Sequence, residues 1–151
     1  VKLAVAFAQE TSLPPLTRWY IRFAFGYLVL ALLTGTAAAA RQPFGLPPVI
    51  AALGPVAVHL FVVGWITQMI FGVAYWMFPR HSAEMPRGDP APAIMTLVLI
   101  NTGLLLRVVA EPWQAVRPSG AVAALLVLSA VAQWLAGLAF VWQMWPRVKE
   151  R

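Results

Sequence analysis

Apolar residues in this chain neither alternate nor recur as a narrow stripe. They run on through four stretches, about residues 17–40, 48–78, 92–110 and 119–145, each near the ~20 residues that a hydrocarbon core asks of a helix. In lipid, backbone N–H and C=O groups must be paired within the segment itself, so runs of this length predict membrane-spanning α-helices. Prolines mark their ends: Pro14 and Pro15, Pro47 and Pro48, Pro79, Pro90, Pro112, Pro118 and Pro146, where a residue without an N–H starts or stops a helix. The second stretch is longer than one crossing needs and contains Gly54-Pro55, which predicts a kink or a short surface helix before the true span. Short connections make sequential helices antiparallel neighbours. The predicted fold is all-α, an integral membrane four-helix bundle forming a single transmembrane domain over residues 1–151.

Composition excludes a soluble domain. With 61% hydrophobic residues, 11% charged and a mean hydropathy of +0.77, the chain holds more apolar surface than a soluble fold of this size can bury. The absence of cysteine removes disulfides, thiolate metal sites and iron–sulfur clusters, so any metal must be held by histidine, methionine or oxygen. The first residues, Lys2 to Glu10, have an apolar run too short for a signal peptide and read as an interfacial or disordered lead-in.

Charge sets an expected orientation. Lys2, Arg18, Arg22, Arg80, Arg87, Arg147, Lys149 and Arg151 fall on the side of the two termini, whereas Arg41, Arg107 and Arg117 fall on the other. Basic residues favour the cytoplasmic side, so both termini are expected there, in a bacterial-type inner membrane. This asymmetry accounts for the net charge of +6, and nucleic acid is a poor partner for it. Trp19, Tyr20, Trp76, Trp142 and Trp145 form the expected inner aromatic belt, Trp113 marks the outer face, and His59 falls in the outer half of the bilayer.

The second and fourth helices resemble one another. Gly64, Gln68 and Gly72 precede Pro79-Arg80 much as Ser129, Gln133 and Gly137 precede Pro146-Arg147, so the chain reads as two related helical hairpins. Small and polar residues at four-residue spacing let helices approach closely and hydrogen-bond in lipid. At 100° per residue, His59, Val63, Ile66, Ile70, Val73 and Met77 occupy the opposite face of the second helix. At the position equivalent to His59 the fourth helix has Ala124, so the hairpin itself does not demand a histidine. An ionisable side chain in hydrocarbon is costly and points to a ligand, a relay or a pathway. A face carrying an imidazole away from the bundle must meet a cofactor, another copy of the chain or a different subunit.

The run from His59 through Gly64, Gln68, Gly72, Tyr75 and Trp76 to Pro79-Arg80 resembles helix II of the catalytic subunit of the haem-copper oxidase superfamily. The likeness is nearest to its nitric-oxide-reductase branch and to the related membrane proteins of the nitric-oxide response. The segment from Asn101 through Arg107 to Pro112 is more loosely similar to the latter. The resemblance implies that His59 is an axial ligand to the iron of haem b. That catalytic subunit has many more helices and several more histidines, whereas this chain has only His59 and His81, on opposite sides of the predicted bilayer. A monomer therefore cannot be a complete oxidase or nitric-oxide reductase. The family subunit has a roughly threefold arrangement of helical arcs, and a homo-oligomer, trimer or dimer, would set His59 side chains on both faces of one haem.

The apolar strip Val63, Ile66 and Ile70 suits a porphyrin body. Arg107, at nearly the same depth, suits a haem propionate through charge-assisted bonds or else snorkels to the outer interface. Gln68, Asn101 and Gln133 read as interhelical hydrogen-bonding groups, Met69, Met77 and Met95 as core filler, and His81 as a solvated loop residue beside Glu84 and Asp89. No nucleophile–base pair or phosphate-binding glycine loop is present. The leading expectation is a membrane haem protein in electron transfer or gas or haem handling. The alternatives are a non-catalytic accessory subunit of a respiratory or photosynthetic complex, and a small transporter or copper-handling protein.

Overall fold

The computed structural model describes residues 13–79, 85 and 87–148. Within them the chain forms four helices long and apolar enough to cross a membrane: α1 (Pro15–Phe44), α2 (Pro48–Met77), α3 (Ala91–Val116) and α4 (Gly120–Met144). A 3-10 turn at Trp145–Arg147 follows α4. We call the end bearing Pro15, Met77, Ala91 and Met144 the proximal end and the other the distal end. The protein is a multi-pass membrane helical bundle.

Local chemistry explains the boundaries. Pro15 opens α1 at a position whose N–H would lack a partner anyway. Gly45 closes α1 in the left-handed region at φ 60°, and the Leu46 N–H returns to the Arg41 carbonyl at 3.0 Å, a closure open to glycine at little cost. At the proximal end of α2, Phe78 is extended as the residue before Pro79 must be. The Ser119 hydroxyl accepts the Val122 N–H and caps α4. At Gly54-Pro55, where a kink or a short surface helix is expected, the structure shows a change of helix type. The helix begins as a 3-10 turn over Pro48–Ala52, so Pro55 lies in the first turn of the α-helical segment Leu53–His59, where it breaks no bond. Similarly, α3 runs through Pro112 to Val116, longer than its apolar run suggested, because a proline near a helix end forfeits a single backbone bond.

The largest departure lies inside α2. Leu60–Thr67 is π-helical, and the Thr67 hydroxyl donates to the Val62 carbonyl five residues back at 2.9 Å. Val56, Leu60, Gly64, Gln68 and Gly72 are all buried at four-residue spacing. A regular α-helix would drift about 40° at each such step, and the wider π turn absorbs that drift. One line of α2 thereby stays buried along most of the span.

Small residues and tyrosines make the first hairpin. Thr17, Tyr20, Ala24, Tyr27 and Ala31 form the buried edge of α1. A Cβ on Gly64 would stand 2.7 Å from Tyr27 Cβ, and one on Gly72 2.7 Å from Tyr20 Cβ, so both glycines are required for this approach. Tyr20 is buried and its hydroxyl donates to the Ala93 carbonyl at 2.7 Å; it belongs to the α1–α3 contact and not to the aromatic belt. Trp19, Trp76, Trp142 and Trp145 are exposed at the proximal end, and Trp113 at the distal end.

The second hairpin inverts the arrangement. Its close approach uses Gly103 of α3, where a Cβ would meet the Ser129 carbonyl oxygen at 2.9 Å. Ser129 Oγ donates to the Gly103 carbonyl and accepts from Gln133 Nε2. Gly137 has open space around it, so the sequence likeness to Gly64, Gln68 and Gly72 does not extend to equal packing. The hairpins join along the distal half of α2, where Val56 and Leu60 pack with Tyr27, Ala31 and Leu104. Proximally, Phe71 and Phe140 stack with ring centroids 3.9 Å apart. Only 17–33% of the most apolar window of each span is buried inside the chain, leaving an outer surface suited to lipid.

Candidate functional site

His59 ends the α-helical segment of α2 and stands at the start of the π turn. Counted from Pro48 it is roughly 17 Å along the helix. Its Nδ1 lies 2.9 Å from the Pro55 carbonyl oxygen. A carbonyl only accepts, so in this contact Nδ1 carries a proton and donates, and the contact leaves Nε2 unengaged. The side chain is 32% exposed, neither enclosed in the core nor wholly outside it.

The histidine does not look away from the bundle as uniform helical phasing suggested. It meets Glu111 of α3, whose Oε2 is 3.9 Å from Nδ1, and Arg107 Nη1 is 3.7 Å from Glu111 Oε1. The π turn is the reason: the four-residue spacing of the buried line carries α2's contact with α1 and α3 up to Leu60, and His59 is the next residue along. Arg107 and Glu111, one turn apart on α3, complete a cluster of opposite charges beside an imidazole. Neither separation is a hydrogen bond. Glu111 Oε2 and Arg107 Nε are enclosed and lack partners among the described residues, and such orphaned atoms in an apolar setting are costly.

The other expected site residues divide. Val63 is partly buried against the core of Tyr27, Leu60 and Leu104. Ile66 is 37% exposed and Ile70 56%, so the two isoleucines face outward while Val63 turns in. Met77 and Met95 are exposed and not core filler. His81 and Glu84 lie outside the described residues. Among the described residues, no group of three or more His, Asp or Glu side chains gathers to hold a metal.

A second polar cluster lies nearer the bundle's middle. The Tyr27 hydroxyl donates to Asn101 Oδ1 at 2.8 Å, and Asn101 Nδ2 donates to Gln68 Oε1 at 3.2 Å and to the Leu97 carbonyl at 2.7 Å. Three helices are thus joined through one amide. Gln68 is fully buried with Nε2 unpartnered among the described residues. Gln68 and Asn101 perform the interhelical role expected of them, with Tyr27 added, whereas Gln133 bonds to Ser129 of its own helix, and it is Ser129 that crosses to α3.

At the proximal end, Arg147 is 1% exposed. It donates to the carbonyls of Tyr75, Phe78 and Pro79 at 2.8–3.2 Å. Tyr75 lies in the last turn of α2, whose carbonyls lack helical partners, and Phe78 and Pro79 follow its end, where the helix dipole also favours a cation.

No protein-family model matches the chain, and comparisons with curated proteins and with solved structures find no match either.

Proposed function

We propose that the chain is a membrane haem-binding protein, with His59 giving one axial ligand to haem b in electron transfer or gas or haem handling. The observation that carries this reading is the Nδ1–Pro55 bond. A ligating histidine is held in one tautomer by its second nitrogen, which leaves the other free for metal. Arg107 adds a cation whose enclosed Nε lacks an acceptor among the described residues, as an anionic propionate would supply. Bound haem supplies a one-electron couple or a site for a diatomic gas. His59 orients it, Arg107 balances its charge, and the exposed Ile66 and Ile70 offer apolar surface on the same helix.

A half-exposed ligand puts the ring at the bundle's surface, so the second face must be covered by another copy of the chain or by a different subunit. The likeness to the haem-copper oxidase superfamily is consistent with that assembly. An inner-membrane location with both termini cytoplasmic follows from the partition of basic residues. Purified protein expressed with ample haem should give a pyridine haemochrome and a Soret band. His59→Ala should lose the band or change its spin state while still inserting and folding. Wild-type protein without haem, or an unchanged spectrum in His59→Ala, would sink the proposal.

A further inference from the structure

Between the start of α3 and the end of α4 lies an open cavity of about 220 Å³, lined by Arg87, Asp89, Pro92, Trp142, Gln143 and Arg147 among others. Two guanidinium groups, those of Arg87 and Arg147, line it. Arg147 is almost wholly buried, and its bonds run to backbone carbonyls and to Met144 Sδ, none of which carries a full negative charge. Arg87 Nε is enclosed without an acceptor among the described residues. Asp89, the one carboxylate among the described lining residues, has an oxygen taken by the Ala91 N–H at 2.9 Å. The N-terminus of α3, a 26-residue helix, adds its positive end. Among the described lining residues two guanidinium groups thus face one carboxylate, and an enclosed cation is stabilised by a further anion.

We propose that this cavity binds a phosphate group, supplied by an anionic phospholipid of the adjacent leaflet. A phosphate matches the donor geometry of a guanidinium and would supply an acceptor for the enclosed Arg87 Nε. The cavity opens at the membrane end of the bundle, beside Trp142, which is 69% exposed. An indole at that level packs on the glycerol and upper acyl region, as interfacial tryptophans do. Basic pockets between transmembrane helices capture headgroups by this combination of fixed charge and apolar wall. The site is independent of His59.

The test is native mass spectrometry of the full chain in mild detergent, titrated separately with phosphatidylglycerol, phosphatidylcholine and inorganic phosphate. Wild type should retain one phosphatidylglycerol in preference to phosphatidylcholine. Arg87→Gln should weaken that retention by about tenfold, the scale of one charge-assisted contact, Arg87→Lys should restore part of it, and Arg41→Gln, at the distal end, should leave it unchanged. Equal retention of the two lipids, or full retention by Arg87→Gln, overturns the proposal. Retention of inorganic phosphate without lipid overturns the lipid as its source.

Discussion

Replacing Asn101 with leucine removes the amide that joins three helices while keeping the branched, four-atom shape of the side chain, although the methyl groups are bulkier than the amide they replace. Two interhelical bonds vanish, from Tyr27 and to Gln68. Such bonds in membrane proteins average about 0.6 kcal/mol each and reach about 1.7 kcal/mol. Gln68 is fully buried and already has an unpartnered Nε2 among the described residues. Losing its remaining partner leaves the whole amide unsatisfied, at about 1–3 kcal/mol. We expect Asn101→Leu to destabilise the bundle by about 2–3 kcal/mol, read from reversible unfolding in mixed micelles of mild detergent and dodecyl sulfate. The triple variant Tyr27→Phe, Gln68→Leu, Asn101→Leu removes every polar partner together and should recover most of that loss, because apolar replacement of both partners is nearly neutral. A neutral Asn101→Leu, or a triple variant less stable than the single one, refutes this account of the network.

Gly64→Ala should cost about 1–3 kcal/mol in the same assay, since its Cβ would meet Tyr27 Cβ at 2.7 Å and α1 must move; Gly137→Ala, with open space at that site, should be neutral or slightly stabilising through helix propensity. Arg147→Met keeps an unbranched apolar stem but strips the Tyr75, Phe78 and Pro79 carbonyls of their donor. A loss of about 3 kcal/mol or more is expected, with faster amide exchange over the last turn of α2 as the local readout.

The spans were legible because the demand that lipid makes on the backbone is written as continuous apolar length. Their ends were legible to within a few residues because proline marks them. What the sequence concealed was rotation. Reading α2 at a uniform 100° per residue set His59 opposite Gly64 and Gln68, but the π turn at Leu60–Thr67 re-phases everything above it, and no residue type announces such a turn. Glu111 was missed for a different reason: attention fell on Arg107 alone, although a carboxylate four residues on shares its face. The spacing of Thr17, Tyr20, Ala24, Tyr27 and Ala31, alternately three and four residues, already described a helix–helix seam, and it would have kept Tyr20 out of the aromatic belt. The burial of Arg147 left no comparable signal, because a cation near a membrane end is usually solvated and only the loop's path reveals that it turns inward.

The Arg147 contact has a consequence in time. The guanidinium that closes α2 is encoded 72 residues after the Tyr75 carbonyl it binds. At translation rates of ~5–20 residues per second, the end of α2 waits roughly 4–14 s for its cap. During that interval the first hairpin already has its glycine–tyrosine contacts, while three of its carbonyls at the proximal end stay with water or headgroups. The bundle is thus assembled as a finished seam awaiting a late latch, and a ribosome stalled between α3 and α4 would leave a hairpin inserted but unsealed.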